Sequence, residues 1–211
     1  PALLPHRNEV ILERRRFMRK GMMMLAALLG VTFGCFAQES KPEKKAIEPG
    51  KVLIAYYSWS GNTKYAAEKI QKLTGGTIFE IKPVTPYPKD FKECVNQARK
   101  EIRAKFKPEL ATKVDDIAKY DVIFVGTPNW IGTMAPPVAT FLSSYDLKGK
   151  TVIPFVTHGR GGLQKCEKDI RSLCEKSTVL KAGAFLGSTI KKSDAKIEEW
   201  LKSVVILPTK Q

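Results

Sequence analysis

Residues 56–70 read YYSWSGNTKYAAEKI and contain the change of pattern that decides the fold. The apolar run that ends at Tyr57 is typical of a buried strand, whereas Ala67 and Ile70 belong to apolar positions spaced as in a helix. Between the two patterns stand small polar residues and one glycine, Ser60-Gly61-Asn62-Thr63. The stretch therefore predicts a buried strand that turns directly into a helix.

Apolar runs of this kind alternate with helical patterns along most of the chain. The predicted strands are Val52–Tyr57, Thr77–Ile81, Val122–Gly126, Thr151–Val156 and Ala182–Leu186. The predicted helices are Thr63–Leu73, Lys89–Phe106, Met134–Leu142, Leu163–Cys174 and Asp194–Val204. Strands that are apolar on both faces and alternate with helices form a parallel sheet covered on both sides. The sequence therefore predicts an α/β three-layer sandwich, whose ligands bind beyond the carboxyl ends of the strands.

The first strand-to-helix loop, residues 58–63, has the composition of an anion site. Its hydroxyl groups, its glycine and the free N–H groups of the following helix can together hold an anion without a lysine. The loop lacks the Gly-Lys-Ser/Thr sequence of a nucleotide-binding P-loop. The alternative is a plain capped turn, because serine and asparagine are good helix caps.

Two further loops contain residues suited to a flat ligand. Residues 127–137 read TPNWIGTMAPP and place Trp130 at the predicted tip, where its exposure is unfavourable unless something flat covers it. Residues 157–162 read THGRGG, with three glycines. One loop for a phosphate and two for a planar ring indicate a mononucleotide with a flat head group.

The three loops resemble those of the flavodoxin family, and in particular those of the short flavodoxin-like FMN-binding proteins. The shared patterns are Ser-x-x-Gly-Asn-Thr, Pro-x-Trp-x-Gly-x-x-x-Pro-Pro and Thr-x-Gly, and the resemblance extends from Lys51 to about Leu201. It implies a flavodoxin-like sandwich with a five-stranded parallel sheet of order 2-1-3-4-5 and helices on both faces. It also implies bound FMN that carries the redox chemistry, without a catalytic side chain and without a metal.

The resemblance assigns each loop a part of FMN. The residues expected to hold the phosphate are Ser58, Ser60, Gly61, Asn62 and Thr63. Those expected to line the isoalloxazine ring are Pro128, Asn129, Trp130, Ile131 and Gly132, with Trp59 as the candidate for a second stacking aromatic. Those expected at the pyrimidine edge of the ring are Thr157, His158 and Gly159, with Arg160 near the flavin.

The charge of the chain departs from that of the well-known electron-carrier flavodoxins, which are strongly acidic. The whole chain has a formal charge of +15, and residues 1–37 hold six Lys/Arg and two Asp/Glu, which leaves +11 for the remainder. The sequence contains neither zinc-site spacing nor a helix-turn-helix pattern, so no nucleic-acid partner is expected. Lysines scattered through amphipathic helices favour a solvated basic surface, open to an acidic partner or to peripheral contact with anionic lipid.

Three cysteines fall on the apolar faces of predicted helices and are expected to be buried free thiols. Cys94 lies on the second helix, and Cys166 and Cys174 lie on the fourth. The last two are eight residues apart on one helix, about 12 Å at 1.5 Å per residue, which is too far for a disulfide.

The start of the chain has the layout of a secretory signal peptide. Residues 14–20, RRRFMRK, precede a mostly apolar run over residues 22–36 that is too short for an ordinary transmembrane helix. Cleavage is expected before Gln38, which predicts a periplasmic protein. The arginines before Phe17 resemble a twin-arginine signal, whereas initiation at Met18 gives an ordinary signal.

Two other interpretations of the same segment remain, a lipoprotein box around residues 32–35 and a buried N-terminal helix. The predicted organisation is a signal peptide with upstream residues at 1–37, a linker at 38–50 and a flavodoxin-like domain at 51–211.

The sequence as a whole predicts an exported FMN-binding redox protein that exchanges electrons with a partner protein or a small-molecule donor or acceptor. Positive charge near the flavin edge is expected to favour transfer of electrons in pairs. One alternative is an FMN-dependent NAD(P)H or quinone reductase. An alternative of another class is a flavin-free interaction module with the flavodoxin fold, against which the intact loops argue.

Overall fold

The strand that leads into residues 56–70 lies inside a mostly parallel sheet, paired with a neighbouring strand on each side. A computed structural model describes residues 44–208 of the chain; the predicted signal peptide lies outside the described residues. The strands are β1 Lys45–Ala46, β2 Val52–Tyr56, β3 Thr77–Glu80, β4 Val122–Trp130, β5 Thr133–Met134, β6 Thr151–His158, β7 Thr178–Val179, β8 Gly183–Leu186 and β9 Val205–Ile206.

Five α-helices connect and cover these strands within residues 44–208. They are α1 Asn62–Thr74, α2 Phe91–Arg103, α3 Pro136–Ser143, α4 Cys166–Leu173 and α5 Asp194–Val204. Short 3₁₀ segments occupy Pro49–Lys51 and Gly187–Lys192. Of these helices, none has both the length and the apolar character that crossing a membrane requires.

The main sheet confirms the predicted strand order. Its neighbours run β3, β2, β4 and β6, and β8 pairs with the end of β6. Numbered as the five predicted strands, this order is 2-1-3-4-5. The sheet has seven strands rather than five, because β7 pairs with the start of β6 and β5 pairs antiparallel with the end of β4.

Hydrophobic cores lie on both faces of the sheet, as strands with apolar residues on both sides require. Along β2, Leu53 and Ala55 belong to the core shared with α2, α3 and α4, whereas Ile54 and Tyr56 belong to the core shared with α1 and α5. All four are at most 3% exposed. The three predicted core cysteines are free and buried.

The ordered domain begins before the predicted boundary at Lys51. Strand β1 pairs in parallel with β9, which follows the last helix. The next residue, Ile47, is 6% exposed and packs in the core against α1 and α5. Residues 44–50 are therefore part of the fold rather than a linker, because the single apolar pair Ala46-Ile47 finds a partner strand at the other end of the chain.

Candidate functional site

Three strand-to-helix loops meet at the carboxyl edge of the sheet. The register pairs Tyr56 of β2 with Gly126 of β4, and Pro128 of β4 with Thr157 of β6. Parallel pairing places the ends of these strands side by side, so the segments that follow them face a common space. The structure therefore brings together the three loops that the sequence singled out.

Helix α1 begins without a side-chain cap. Gly61 is the N-cap residue, with φ 85°, and no side chain accepts a hydrogen bond from the first turn. This left-handed conformation suits glycine, because a side chain there would be strained. The capped-turn alternative is therefore wrong, and the first N–H groups of the helix, with the positive end of its dipole, are available to an anion.

Four other residues of the first loop have four different environments. Ser58 Oγ is buried and has no hydrogen-bond partner among residues 44–208, whereas Ser60 is exposed. Thr63 Oγ1 lies 2.8 Å from Thr157 Oγ1, so a hydrogen bond joins the first loop to the end of β6. The amide of Asn62 lies so close to Gly187 that a Cβ there would be 2.6 Å from Asn62 Nδ2.

The second loop is a β-hairpin rather than an open loop. Strand β4 continues to Trp130, four residues past the predicted end, and turns through Ile131 and Gly132 into β5. The turn residues have φ values of 53° and 92°, the sign pattern of a tight type I′ hairpin. Isoleucine rarely adopts a positive φ, and strained residues of this kind cluster at functional sites. The residue at the tip is Ile131, which is 48% exposed.

The Asn129 side chain ties the hairpin to the third loop. Its Oδ1 accepts a hydrogen bond from Gly132 N at 3.0 Å, and its Nδ2 donates to Gly162 O at 2.7 Å and to Gln164 Oε1 at 2.9 Å. Both N–H donors of the amide are thus engaged. A backbone hydrogen bond also joins the hairpin to the end of the third loop, since Lys165 N donates to Gly132 O at 2.8 Å. We call these three side-chain hydrogen bonds the Asn129 clamp.

Trp130 does not stand at the tip of the second loop, where the sequence placed it, but at the end of β4 and partly buried. Its ring packs edge-on against Tyr57 and Tyr87, with centroid separations of 5.5 and 4.8 Å. Burial, together with a hydrogen bond donated to the Glu101 carboxylate, raises the pKa of Tyr87 far above its ordinary value. The Tyr87 hydroxyl therefore stays protonated and keeps its hydrogen bond to Glu101 at all ordinary pH values, which holds the Tyr87 ring in place against Trp130.

Trp59, the candidate second aromatic, packs against Phe91. Its Nε1 donates to Pro88 O at 2.9 Å, and its ring centroid is 6.3 Å from that of Phe91. Phe91 is 69% exposed at the start of α2. The sequence signalled neither Phe91 nor Tyr57 as part of the site, because each reads as an ordinary apolar position of a helix or strand.

The third loop places one unsatisfied group at the site edge. His158 ends β6, and its Nδ1 is buried without a hydrogen-bond partner among the described residues. Gly159 and Arg160 follow on the exposed side of the loop, and no ion pair engages Arg160 within residues 44–208. Gln164, which has a φ of 44°, closes the loop because its side chain accepts a hydrogen bond of the Asn129 clamp. The sequence did not predict Gln164 as a site residue, because sequence pattern does not reveal such a contact.

Other reactive side chains contribute little to this edge. Burial raises the pKa of the Cys166 thiol to about 12 and that of the Cys174 thiol to about 11, so both remain protonated and unreactive at neutral pH. In the described part of the chain, no group of three His, Cys, Asp or Glu side chains is arranged to hold a metal ion. The site therefore offers binding groups rather than a nucleophile.

Taken together, the edge fits an anion bound beside a flat ring. An uncapped helix N-terminus and the Ser58 hydroxyl suit a phosphate, and the His158 nitrogen suits a polar ring edge. Buried polar groups without partners are rare and costly in folded proteins, which makes a ligand the natural partner for both atoms. The residues present therefore fit the FMN that the sequence resemblance implied.

Comparison with known proteins decides the family. The flavodoxin family model matches residues 51–204, which is most of the chain. The chain belongs to the flavodoxin family. The match runs from the start of β2 to the end of α5, so it includes all three loops of the site. The resemblance recognised from the loop motifs is thereby confirmed.

Solved structures of similar proteins support the same family assignment. A protein from Bacteroides uniformis, assigned as a flavoprotein, shares 31% identity, with 74% of this chain and 99% of that chain covered and a TM-score of 0.66. A flavoprotein from Lactobacillus acidophilus, solved in complex with FMN, shares 30% identity, with 68% and 97% covered and a TM-score of 0.56. This flavodoxin therefore resembles flavoproteins over nearly their whole length.

A curated relative adds a named activity. An NAD(P)H dehydrogenase (quinone) from Cupriavidus metallidurans is 36% identical over 95 residues, which are 44% of this chain and 45% of that protein. The chain thus matches less than half the length of this relative.

Proposed function

We propose that this flavodoxin binds FMN at the carboxyl edge of its sheet and transfers electrons through it. The observation that carries the proposal is the pair of buried atoms without protein partners, Ser58 Oγ and His158 Nδ1. His158 ends β6 and Ser58 lies two residues past the end of β2, and only β4 separates these two strands in the sheet. The FMN complex of the Lactobacillus acidophilus relative supports the same cofactor.

The side chains of this site bind and orient rather than react. The first turn of α1 and Ser58 would hold the phosphate, with Thr63 held in place by Thr157. Ile131, on its strained turn, and Trp130 would contact the ring. When bound, FMN supplies the redox chemistry, and the protein sets its orientation and its access to solvent.

A second candidate is an FMN-dependent NAD(P)H or quinone reductase. It is supported by the partial match to the NAD(P)H dehydrogenase (quinone) and by the unpaired Arg160 beside the proposed ring edge. Overall, a reduced nicotinamide and one solvent proton would convert a quinone to its hydroquinone and release oxidised nicotinamide, so two electrons and two protons balance.

Export to the periplasm remains part of the proposal and is supported by the sequence of residues 14–36 alone. Fractionation of cells that produce the full-length chain tests it. Mature protein that begins near Gln38 in the periplasmic fraction is the expected result, and an uncleaved cytoplasmic chain would contradict it.

The absorbance spectrum of the purified protein tests the cofactor. Yellow protein that releases FMN, rather than FAD or riboflavin, is expected after mild denaturation. If the isolated protein is colourless, titration with FMN should restore a flavin spectrum with saturable affinity. Absence of saturable FMN binding would leave the flavin-free interaction module as the better interpretation.

The two redox candidates differ in their donor. Stopped-flow mixing of the FMN-loaded protein with NADH or NADPH is expected to bleach the flavin absorbance if the protein is a reductase. Bleaching only by dithionite or by a reduced partner protein would instead identify an electron carrier.

A further inference from the structure

An apolar cavity adjoins the proposed ring site on the side of α2. Its volume is about 230 Å³. Trp59, Phe91 and Val95 line one side, and Trp130 and Ile131 of the hairpin line the other. The cavity thus shares Trp59, Asn129, Trp130 and Ile131 with the residues expected to line the flavin ring.

The size of the cavity limits what can enter it. Pockets that enclose ligands of drug or nucleotide size are usually about 300–1,000 Å³, so the whole of FMN does not fit. An apolar cavity of about 150 Å³ is enough for one benzene ring. A volume of 230 Å³ therefore suits one or two fused rings.

The walls of the cavity favour a flat apolar ring with few polar atoms. The indole N–H of Trp59 and the Asn129 amide, which also lines the cavity, are already hydrogen-bonded within the protein. Cys94 also lines the cavity, and burial raises the pKa of its thiol, so this side chain brings no charge. Trp130 also lines the cavity, and its indole N–H donates no hydrogen bond within residues 44–208.

The rim of the cavity is apolar and exposed. Phe91 is 69% exposed and Ile131 is 48% exposed, although they lie on different elements. Large apolar side chains that converge around an opening are typical of a binding site rather than of random surface composition. Because the cavity also adjoins the proposed redox site, its occupant would be well placed to exchange electrons there.

We infer that this cavity binds the ring of a quinone-class molecule, between Trp59 and Phe91 on one side and Trp130 and Ile131 on the other. The inference rests on the proposed function, since it names the acceptor class for the same site. Aromatic walls suit a flat ring, and the free indole N–H suits a quinone carbonyl.

Direct binding of 1,4-naphthoquinone tests the inference without relying on turnover. Equilibrium dialysis with the FMN-loaded and the flavin-free protein is expected to show saturable binding to both. Val95→Phe, which fills the cavity, is expected to weaken binding about tenfold in both forms. Phe91→Ala, at an exposed position that does not endanger the fold, is expected to weaken it several-fold. Phe106→Ala is the matched control, because Phe106 is 52% exposed and does not line the cavity.

The outcomes separate this inference from the proposed function. If the wild-type protein binds FMN but not naphthoquinone, or if Phe91→Ala and Val95→Phe bind it like Phe106→Ala, the cavity is not a quinone site. Displacement of FMN by naphthoquinone would show that the cavity belongs to the flavin ring and would also overturn the inference. If the protein binds naphthoquinone but no FMN, the cavity site stands and the proposed function fails.

Discussion

The hydroxyl oxygens of Thr63 and Thr157 lie 2.8 Å apart, although the two residues are 94 positions apart in the chain. Both residues are buried, at 1% and 4% exposure. The contact joins the first turn of α1 to the end of β6, and therefore the first loop of the site to the third. A hydroxyl can donate one hydrogen bond and also accept others, so Thr63 can accept from Thr157 and still donate to a bound phosphate.

Removal of either hydroxyl should destabilise the flavin-free protein. Thr63→Val leaves the Thr157 hydroxyl buried without its partner, which is expected to lower the free energy of unfolding by about 1–3 kcal/mol. Thr157→Val should have a similar effect, and the double variant should lose less than the sum, because no unpaired hydroxyl remains. Urea unfolding of the four proteins measures this coupling. Strictly additive losses would show that the two hydroxyls act independently.

Ser58 offers a test in which stability and binding should change in opposite directions. Ser58→Ala removes a buried hydroxyl that has no partner within residues 44–208, so the flavin-free protein should become about 1 kcal/mol more stable. FMN binding should weaken by about 1.5–3 kcal/mol, the value of a hydrogen bond to a charged group, and riboflavin binding should weaken less. Urea unfolding and flavin titration measure the two effects.

The control for Ser58→Ala is Ser203→Ala, at an exposed position on α5. It should leave the affinities for FMN and riboflavin unchanged. Equal losses of FMN and riboflavin affinity in Ser58→Ala would place the phosphate elsewhere.

The order of strands and helices could be predicted from the sequence, because it depends on the spacing of apolar residues within each short segment. Apolar runs with small polar residues after them fixed the strands, the helices and the edge where the loops meet. The end of β4 was not predictable, since Pro128-Asn129 does not read as strand and Ile131 is a poor residue for a positive φ. That conformation exists because pairing with β5 and the Asn129 clamp impose it, and both depend on tertiary contacts.

The motifs predicted that the three loops meet, but not the contacts that their side chains make with one another. Asn129 and Trp130 remain predicted residues of a ring site, whereas the clamp formed by Asn129 and the contacts of Trp130 with Tyr57 and Tyr87 appear only in three dimensions. Gln164 gave no signal, because its contribution depends on where a neighbouring loop brings a single amide.

Loss of the Asn129 clamp should weaken the ring site without affecting the phosphate site. Asn129→Ala removes three hydrogen bonds and frees the hairpin from the third loop. FMN and riboflavin should therefore lose affinity by the same factor, about tenfold. Gln164→Ala should have a smaller effect, and the double variant should resemble Asn129→Ala. Asn96→Ala, at an exposed position on α2, is the control. A loss confined to FMN would contradict a role at the ring.

Trp130 should report flavin binding through its fluorescence. If its indole contacts the ring, binding of FMN should quench emission, and the quenched component should disappear in Trp130→Phe. Trp200→Phe is the matched control, because Trp200 packs on the opposite face of the sheet against Phe124 and Phe185. Trp130→Ala should also weaken FMN binding by about 1–3 kcal/mol, by analogy with base–aromatic stacking. Unchanged quenching in Trp130→Phe would show that the indole serves only the Tyr57–Tyr87 cluster.

Arg160 should raise the reduction potential of bound FMN, because reduction adds negative charge near a positively charged side chain. Arg160 is exposed and engaged in no ion pair within the described residues, so its charge is free to act on the loop that carries His158. Arg160→Glu should therefore lower the midpoint potential and separate the two one-electron potentials toward single-electron behaviour, with Arg160→Gln intermediate. Spectroelectrochemical titration measures both quantities. The shift should shrink with added salt, since the Debye length is only about 10 Å at 0.1 M ionic strength.

Lys196→Glu makes the same charge change on α5 and should leave both potentials nearly unchanged. Equal shifts in Arg160→Glu and Lys196→Glu would mean that net charge, and not the position of the arginine, sets the potential.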